Sequence, residues 1–412
     1  MNAALFILSA AIFIIAPVSA AETSLSTALE IALSANHEIA ASTFMAEAEH
    51  EKTRSQYFLS DPMVGYERDF GMNMWMVSQD IQFPTKYLAM GAAQKHRAAG
   101  SRAELRSQQL EIRKRLIAAY FRVFSLDRIH SLLQAQLNTT REIARNAEAR
   151  RATGAVTQQD EMKAHVEETR ANAEIIMNSQ ERAAARAELA SLLGSDVSDE
   201  PPLIIPSEEL SPPKLNAVDK NAKFLSSVQN SPSLLRAAAF TQEMNAEQHL
   251  ARMSWLPDFR VMYQQQFGAA STAESRFRVE ASIPLWFPLQ QTSLTSSALA
   301  RRQNAEQLQL QAQLELKARV QTLSARAEAQ NTLLKIDQTS LIPQATSTFN
   351  SSQGAYRAGK VGLMELLDSQ RALYGVRIGY YRTLLDFAET VAELEAVTNS
   401  SKSDLPFPKE IL

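Results

Sequence analysis

The feature of this sequence that most restricts its fold is an internal duplication. The same order of helix, strand and turn signals occurs twice within 412 residues. Each copy has a helical run, two short strand-like segments, a very long helical run, a glycine break and a last helical run. The punctuating residues pair between the copies: Pro62 with Pro257, Gly71 with Gly268, Pro84 with Pro284, and Gly154 with Gly359. Ala187-Glu188-Leu189 also pairs with Ala392-Glu393-Leu394.

The repeat predicts two copies at residues 24–194 and 231–399, joined by a linker at 195–230 and followed by a tail at 400–412. The linker is rich in proline and acidic residues, as a connecting segment should be. In the first copy we expect helices over Thr27–Phe58, Lys86–Thr153 and Thr157–Leu193, and strands over Pro62–Phe70 and Asn73–Phe83. In the second we expect strands over Asp258–Phe267 and Arg276–Phe287. We expect helices over Ser233–Trp255, from the end of the second strand to Gly359, and over Gly362–Asn399.

Helix ends and interruptions give further expectations. Thr27 followed by Glu30 predicts a capping box at the first helix. Pro343 lies inside the second long helical run, where its missing N–H predicts a kink or a break.

The strand segments alternate between apolar and polar residues. From Arg276 to Leu285, one set is apolar and the other is polar or charged. A membrane-spanning strand shows this pattern over about 9–11 residues, although half-buried strands of soluble sheets show it too. Four strands are too few to close a barrel, for which about eight are the small end. A membrane barrel would therefore require several chains, and three chains would supply twelve strands.

The long helices set the length scale. Lys86–Thr153 would extend about 100 Å at 1.5 Å per residue, so its apolar stripe has to pack against similar rods. Two stripes step by alternating fours and threes, as in coiled coils. The first comprises Met162, Val166, Thr169, Ala173, Ile176, Gln180, Ala183, Ala187 and Ala190. The second comprises Leu366, Gln370, Leu373, Arg377, Tyr380, Leu384, Phe387, Val391 and Leu394. A plain coiled-coil bundle would show the same heptads.

The first twenty residues predict export. Leu5–Ala16 is an apolar run of signal-peptide length, and Val18-Ser19-Ala20 supplies small residues at the cleavage positions. An uncleaved membrane anchor is the alternative, but a membrane-spanning helix needs about 20 residues and this run is shorter.

The chain has no cysteine, which excludes disulfides, thiol nucleophiles and a lipid-anchored cysteine. Its net charge of −3 argues against nucleic-acid binding.

No enzyme chemistry is indicated. The sequence has no His-Glu-x-x-His, no Gly-rich phosphate loop and no Gly-x-Ser-x-Gly, and its six histidines are dispersed. We therefore expect no catalytic residues, no cofactor and no metal site.

The duplicated pattern resembles the TolC family of outer-membrane efflux proteins over about Ser24–Asn399. The motifs that carry the resemblance are Leu25–Leu33, Asn36-His37 where the family often has Asn-Pro, Ser231–Leu234, Ile283–Trp286, Tyr356–Gly359 and Glu365–Gln370. The resemblance implies a mainly α-helical homotrimer with a twelve-stranded barrel in the lipid of the outer membrane and a twelve-helix tunnel crossing the periplasm. It implies a passive exit duct that a periplasmic adaptor connects to an inner-membrane transporter.

The resemblance also implies a periplasmic gate. Glu365 and Asp368 match acidic family positions that line the constriction, where threefold symmetry makes each a ring of carboxylates that favours cations. Alternatively, they only complement the dipole at the helix N-terminus. Asp160 and Tyr356 match positions that hold the tips closed through a hydrogen bond between coils. A family arginine is replaced by Val361, and the adjacent Lys360 is a possible substitute.

Two further readings remain open at the tips. Asp160 also fits a capping box with Thr157. Gly154 and Gly359 are expected to be helix-ending caps, and their flanks are candidate adaptor contacts: Val156, Val361, Gly362 and Leu363, with the two glycines.

The main alternative function is a periplasmic coiled-coil adaptor or scaffold without a membrane barrel. Adaptors usually carry one helical hairpin within β-rich domains, whereas this chain has two hairpins of helices with two strands each. The sequence leaves the cargo open among drugs, metal ions and secreted proteins.

Overall fold

The structure is a computed structural model, which describes residues 24–69, 72–154, 156–194, 228–268, 271–283 and 290–399. The signal peptide predicted at 1–20, most of the linker at 195–230 and the tail at 400–412 lie outside these residues. The turn predicted at Gly71 and the prolines Pro284 and Pro288 lie outside them as well.

The described elements repeat in the predicted order. The first copy contains α1 (Leu25–Ala35), α2 (His37–Ser55), β1 (Met63–Asp69), β2 (Met72–Ile81), α3 (Pro84–Ala152) and α4 (Gln158–Leu192). The second contains α5 (Pro232–Arg252), β3 (Asp258–Gly268), β4 (Ser271–Ser282), α6 (Gln290–Ile336), α7 (Ile342–Arg357) and α8 (Leu363–Thr398). The predicted mainly helical fold with two tandem repeats is confirmed, and its four strands form a small antiparallel sheet.

The start of the first helix differs from the prediction. Ser24, not Thr27, is the N-cap, and its side chain accepts a hydrogen bond from the Thr27 backbone N–H. The predicted capping box at Thr27 is therefore wrong. The single predicted helix also divides at Asn36, whose side chain caps α2 by accepting from the N–H groups of Glu38 and Ile39.

Two asparagine side chains form hydrogen bonds that connect helix ends. The Asn36 side-chain amide donates to the Leu192 carbonyl at 3.2 Å, which joins the start of α2 to the end of α4. Asn399 ends α8 in the left-handed conformation (φ 53°), and its amide donates to the Asn230 carbonyl at 3.1 Å. The end of α8 thereby meets the start of α5, as the duplication requires.

The four strands form one antiparallel sheet in the order β1-β2-β3-β4, so the hairpins of the two copies pair through β2 and β3. The last strand begins at Ser271, five residues before the predicted Arg276, and its described part runs to Ser282, which pairs with Asp258. Residues 284–287 of the predicted strand lie outside the described residues.

The sheet has two chemically different faces. Paired residues on one face include Val64 with Val77, Val77 with Tyr263, and Tyr263 with Phe277. We call this the aromatic face: Val64, Tyr66, Trp75, Val77, Tyr263, Phe277 and Val279, all of them exposed. Tyr66 and Trp75 pair across the strands with ring centroids 5.0 Å apart. The opposite face, which we call the polar face, carries Gln264 beside Arg276 and Asp80 beside Arg260.

The helices form a layer with α3 in its interior. α3 packs against α4 on one side and α8 on the other, while α8 also packs against α6 and α7. The main core contains Tyr120 and Phe121 of α3 and Phe387 of α8, none more than 1% exposed. α4 and the α6–α7 rod therefore lie on opposite edges of the layer.

The two predicted coiled-coil stripes have different surroundings. In α8 the stripe is largely core, with Leu366, Leu373, Leu384 and Phe387 buried, as predicted. In α4 the large apolar members of the stripe are exposed, with Ile176 at 70%. Inside the chain α4 instead buries Ala164, Ala171, Asn178, Ala185, Leu189, Ala190 and Leu192.

The interruption predicted at Pro343 is a local widening. Residues Asp337–Leu341 form a π-helical turn, after which the helix resumes at Ile342 with Pro343 in its first turn. A proline clashes with the carbonyl four residues earlier, and a wider turn moves that carbonyl away.

Among the described helices, none has the combination of length and apolar composition that crossing a bilayer requires.

Candidate functional site at the helical tips

The α3–α4 and α7–α8 turns contain the residues that the sequence singled out. Gly154 (φ 75°) and Gly359 (φ 71°) have left-handed backbones, which a side chain would strain. Both glycines are exposed, and no atom outside their immediate neighbours lies within 4 Å of the position of an added Cβ. Their role as helix-ending caps is therefore set by backbone conformation and not by close packing.

Arg150 joins the two tips. Its guanidinium donates to the Tyr356 carbonyl at 3.0 Å and to the Arg357 carbonyl at 3.3 Å. The same group lies over the Tyr356 ring, 4.6 Å from the centroid. The last carbonyls of a helix have no partner within it and carry negative partial charge, so this cation caps α7. Arg150 was not among the residues predicted from the sequence, although a basic residue in the last turn of α3 was an available signal.

An apolar cluster lies directly behind the tips. It includes Ile143 and Ala147 of α3, Phe349 and Tyr356 of α7, and Leu363, Leu366 and Leu367 of α8. Leu363, one of the candidate adaptor contacts, begins α8 and packs into the cluster with 4% of its surface exposed.

The other predicted contact residues remain near the surface. Val361 is half-buried against the same cluster, Val156 is half-buried, and Gly362 is exposed with the two tip glycines.

The structure supports the capping reading of Asp160. The Thr157 hydroxyl donates to the Asp160 carboxylate at 2.7 Å, and the Asp160 N–H donates to the Thr157 hydroxyl at 3.2 Å. The Tyr356 hydroxyl is buried and has no hydrogen-bond partner among the described residues. Asp160 and Tyr356 are thus not bonded to each other within one chain, and a latch between them stays a prediction. Lys360 is exposed, and its backbone N–H donates to the Ala355 carbonyl at 2.9 Å.

The two acidic residues of α8 are both exposed, but their surroundings differ. Glu365 lies in the first turn of α8. Asp368 accepts a hydrogen bond from Arg371 at 2.8 Å, and Arg371 also pairs with Glu167 of α4 at 2.7 Å. The hydrogen bond to Glu167 raises the pKa of the Arg371 guanidinium above its ordinary value. This network, which no sequence pattern indicated, connects the start of α8 to α4.

Comparisons with known proteins cover both copies of the repeat. The sequence profile of the family described as "Outer membrane efflux protein" matches residues 68–195 and 226–400. No curated protein sequence matches the chain.

Solved structures share the fold at low sequence identity. A membrane protein from Pseudomonas aeruginosa is 17% identical, with a TM-score of 0.79, over 91% of this chain and 93% of that one. The Campylobacter jejuni CmeC outer membrane channel is 12% identical, with a TM-score of 0.78, over 91% and 85%. The open state of the Neisseria gonorrhoeae MtrE outer membrane channel is 17% identical, with a TM-score of 0.75, over 93% of each chain.

Proposed function

The chain belongs to the outer membrane efflux protein family, and we propose that three copies of it assemble into a passive exit duct. The family is one of outer-membrane efflux ducts of tripartite systems, with a long extension into the periplasm, and not of enzymes. The three copies join along the edges of the sheet and of the helical layer, and other components dock at the helical tips. The trimer is supported mainly by one observation: the sheet and the helical layer each have two opposite edges without a partner in the described chain.

The sheet supports assembly by its unpaired edges. β1 and β4 are the outer strands of the order β1-β2-β3-β4, so each has one row of backbone groups without a strand partner in the described chain. Exposed strand edges pair readily with another chain. If β1 of one copy pairs with β4 of the next, three copies close a sheet of twelve strands. The aromatic face would then contact outer-membrane lipid, and the polar face would line the lumen.

The helical layer has matching edges. The exposed stripe of α4 includes Met162, Val166 and Ile176. On the opposite edge, α6 exposes Leu308, Leu310 and Leu314. Apolar side chains in a long stripe are stabilised by removal from water. If the α4 edge of one copy packs on the α6 edge of the next, the same sequence of helices continues from copy to copy. Each copy supplies four helical rods (α4, α3, α8 and α6–α7), so three copies give twelve rods around a tunnel.

The tips are the proposed docking end for a periplasmic adaptor, which would connect the duct to an inner-membrane transporter. Gly154, Gly359 and Gly362 are exposed there, with Val156 and Val361 half-buried. Small exposed residues permit close approach of a partner's backbone. Leu363 is left out of this surface because it is buried.

The assembly is tested by the molar mass of the detergent-extracted outer-membrane protein, measured by light scattering and corrected for bound detergent. We expect a mass near three protomers for the natural chain and for Ser179→Glu, which adds a charge at an exposed α4 position outside the stripe. Ile176→Glu places a charge in the proposed interface and should give monomers with unchanged helical content. A natural chain recovered as a water-soluble monomer would contradict the duct.

We also propose that Glu365 and Asp368 form a cation-selective constriction. Each becomes a ring of three carboxylates in the trimer, and such rings attract cations in a narrow pore. The Asp368–Arg371–Glu167 network offers a way to hold the start of α8 against α4 in the closed state.

Single-channel recording in planar bilayers tests the constriction. Glu365→Gln with Asp368→Asn should lower the preference for cations over anions. The matched control is Asp386→Asn, which removes an exposed carboxylate farther along α8. Equal ion selectivity in all three proteins would show that the acids serve only as helix-terminal charges.

A further inference from the structure

The methionines of the sheet lie on one face. Five of the chain's 13 methionines are in the four strands: Met63, Met72, Met74, Met76 and Met262. Residues directly opposite in an antiparallel pair share a face, and alternate residues along a strand share it too. Met63 pairs with Ser78, Ser78 pairs with Met262, and Met72, Met74 and Met76 alternate with Ser78 along β2. All five positions therefore belong to the polar face.

Three of these methionines are neighbours. Met76 pairs with Gly65 on one side and Gln264 on the other, so it lies diagonally between Met63 and Met262. Diagonal neighbours across strands are within reach of long side chains. Gly65 leaves room for this arrangement, because a Cβ there would lie 3.2 Å from the Met76 terminal methyl carbon.

The Gln264 side chain lies close to the sulfur atoms of both Met262 and Met76. The Gln264 side-chain amide nitrogen lies 3.2 Å from the Met262 sulfur and 3.7 Å from the Met76 sulfur. Thioether sulfurs are weak acceptors, and a donor approaches them along the lone pairs that a metal ion would use. A cation at this position would therefore reach both sulfurs.

Hydrophobic packing does not explain the choice of methionine. The aromatic face has Val, Ile, Phe, Tyr and Trp but no methionine among its described positions. On the polar face, methionine is the only large apolar residue at the described positions, among Gln, Ser, Glu, Asp and Arg. In the proposed duct this face lines a water-filled lumen, where packing gives no reason to prefer methionine over leucine, whereas the thioether differs from leucine in its soft, polarizable sulfur.

Two arginines near the three methionines are paired with carboxylates. Arg278 pairs with Glu280 at 3.5 Å, and Arg276 pairs with Glu274 at 3.2 Å. Neutral thioethers select soft monovalent ions such as Cu(I), while harder divalent ions prefer carboxylate or imidazole ligands. Within the described part of the chain, no group of three or more His, Asp or Glu side chains is placed to hold a metal ion.

We propose that Met63, Met76 and Met262 bind a soft monovalent metal ion, Cu(I) or Ag(I), on the polar face of the sheet. The inference rests on the proposed duct, in which this face lines the lumen and three copies repeat the site around it. Met74 continues the row along β2 and offers the next sulfur. Neutral ligands open to water hold an ion weakly enough to release it, as a conducting pathway requires.

The test is Ag(I) binding to the full-length detergent-solubilised protein in chloride-free buffer, by titration calorimetry and by X-ray absorption at the silver edge. We expect saturable binding with sulfur-only ligation, lost in Met63→Leu/Met76→Leu/Met262→Leu, which keeps the side-chain size. The matched control is Met45→Leu/Met177→Leu, which removes two exposed helical methionines outside the proposed α4 interface and should leave this binding unchanged. Equal loss in both variants, or binding retained in the sheet variant, would overturn the site.

A second readout separates this inference from the duct itself. Submillimolar Ag(I) should reduce the single-channel conductance of the natural protein reversibly and leave that of the sheet variant unaffected. A trimer that conducts but neither binds Ag(I) nor is blocked by it overturns the metal site alone. A chain that binds Ag(I) at sulfur but never forms a conducting trimer overturns the duct and keeps the metal site.

Discussion

The last helices of the two copies, α4 and α8, begin from matching turns but have different environments. Gly154 and Gly359 align them, so Met162 corresponds to Leu367. Met162 is 55% exposed and Leu367 is 1% exposed. The cause is position in the layer, because α8 packs against α3, α6 and α7, whereas α4 packs mainly against α3. A heptad pattern therefore indicates that an apolar stripe packs against another helix, but it does not indicate whether that helix belongs to the same chain.

The tips show a second difference between the copies. Arg150 of the first copy caps the end of α7 in the second, whereas its counterpart in the second copy is Ala355. The first tip instead uses a salt bridge of its own, between Arg151 and Glu161 at 2.5 Å. Duplication has thus kept the backbone plan while the polar contacts of the two tips have become specialised.

The largest expected effect contrasts a core residue of α8 with an edge residue of α4. Phe387→Ala removes a fully buried ring and should lower the free energy of unfolding by about 3–5 kcal/mol. Ile176→Ala, at a 70% exposed position, should change the stability of the protomer by less than about 0.5 kcal/mol and weaken only the trimer. Urea unfolding followed by circular dichroism, with light scattering for the trimer, measures both. Equal loss of protomer stability would mean that α4 is not an edge helix.

The second prediction concerns a buried carboxyl that only the second copy has. Glu395 lies in α8 where the first copy has Ala190. It contacts Arg113 of α3 at 3.5 Å, with 6% of its side chain exposed. Burial raises the pKa of Glu395 to about 7, against the lowering effect of Arg113. The folded protein therefore holds this proton more tightly than the unfolded chain, in which the pKa is about 4.5.

The sign of the pH dependence follows from that tighter binding. The stabilising contribution of the proton is complete below about pH 4.5 and is lost as the pH rises through about 7. Glu395→Gln mimics the protonated form, so it should match the natural protein near pH 4.5 and be more stable at pH 8 by up to about 3 kcal/mol. Urea unfolding at both pH values measures this difference. Glu393→Gln, whose carboxylate pairs with Arg319 at the surface, is the control and should show no such pH dependence.

Most of the backbone plan could be predicted from the sequence because it rests on local signals. Pro84, Gly154 and Gly359 mark helix boundaries through fixed or left-handed backbone angles, and the observed helices follow them within one or two residues. The start of β4 was predicted less well, because β4 begins at Ser271, opposite Gly268 at the end of β3, and so depends on its partner strand.

The candidate site was less predictable because its contacts join distant segments. Arg150 and Tyr356 are 206 residues apart in sequence, and no periodicity connects them. Leu363 follows two glycines of an exposed turn, so its burial depends on the cluster behind the tips. The position of Asp160 three residues after Thr157 was a local signal, and the capping interaction that it predicted is present.

The smallest expected effect concerns the asymmetry of the tips. Arg150→Ala removes two hydrogen bonds to helix-terminal carbonyls and a cation–π contact, which together should cost about 1–2 kcal/mol. The loss should be confined to the second tip, so amide hydrogen exchange should accelerate in residues 350–365 while the overall unfolding midpoint changes little. Arg151→Ala is the matched control, because it breaks the pair with Glu161 and should accelerate exchange at the start of α4 instead. If both substitutions affected both turns equally, the two tips would form one cooperative unit, and the specialisation inferred from Arg150 would be wrong.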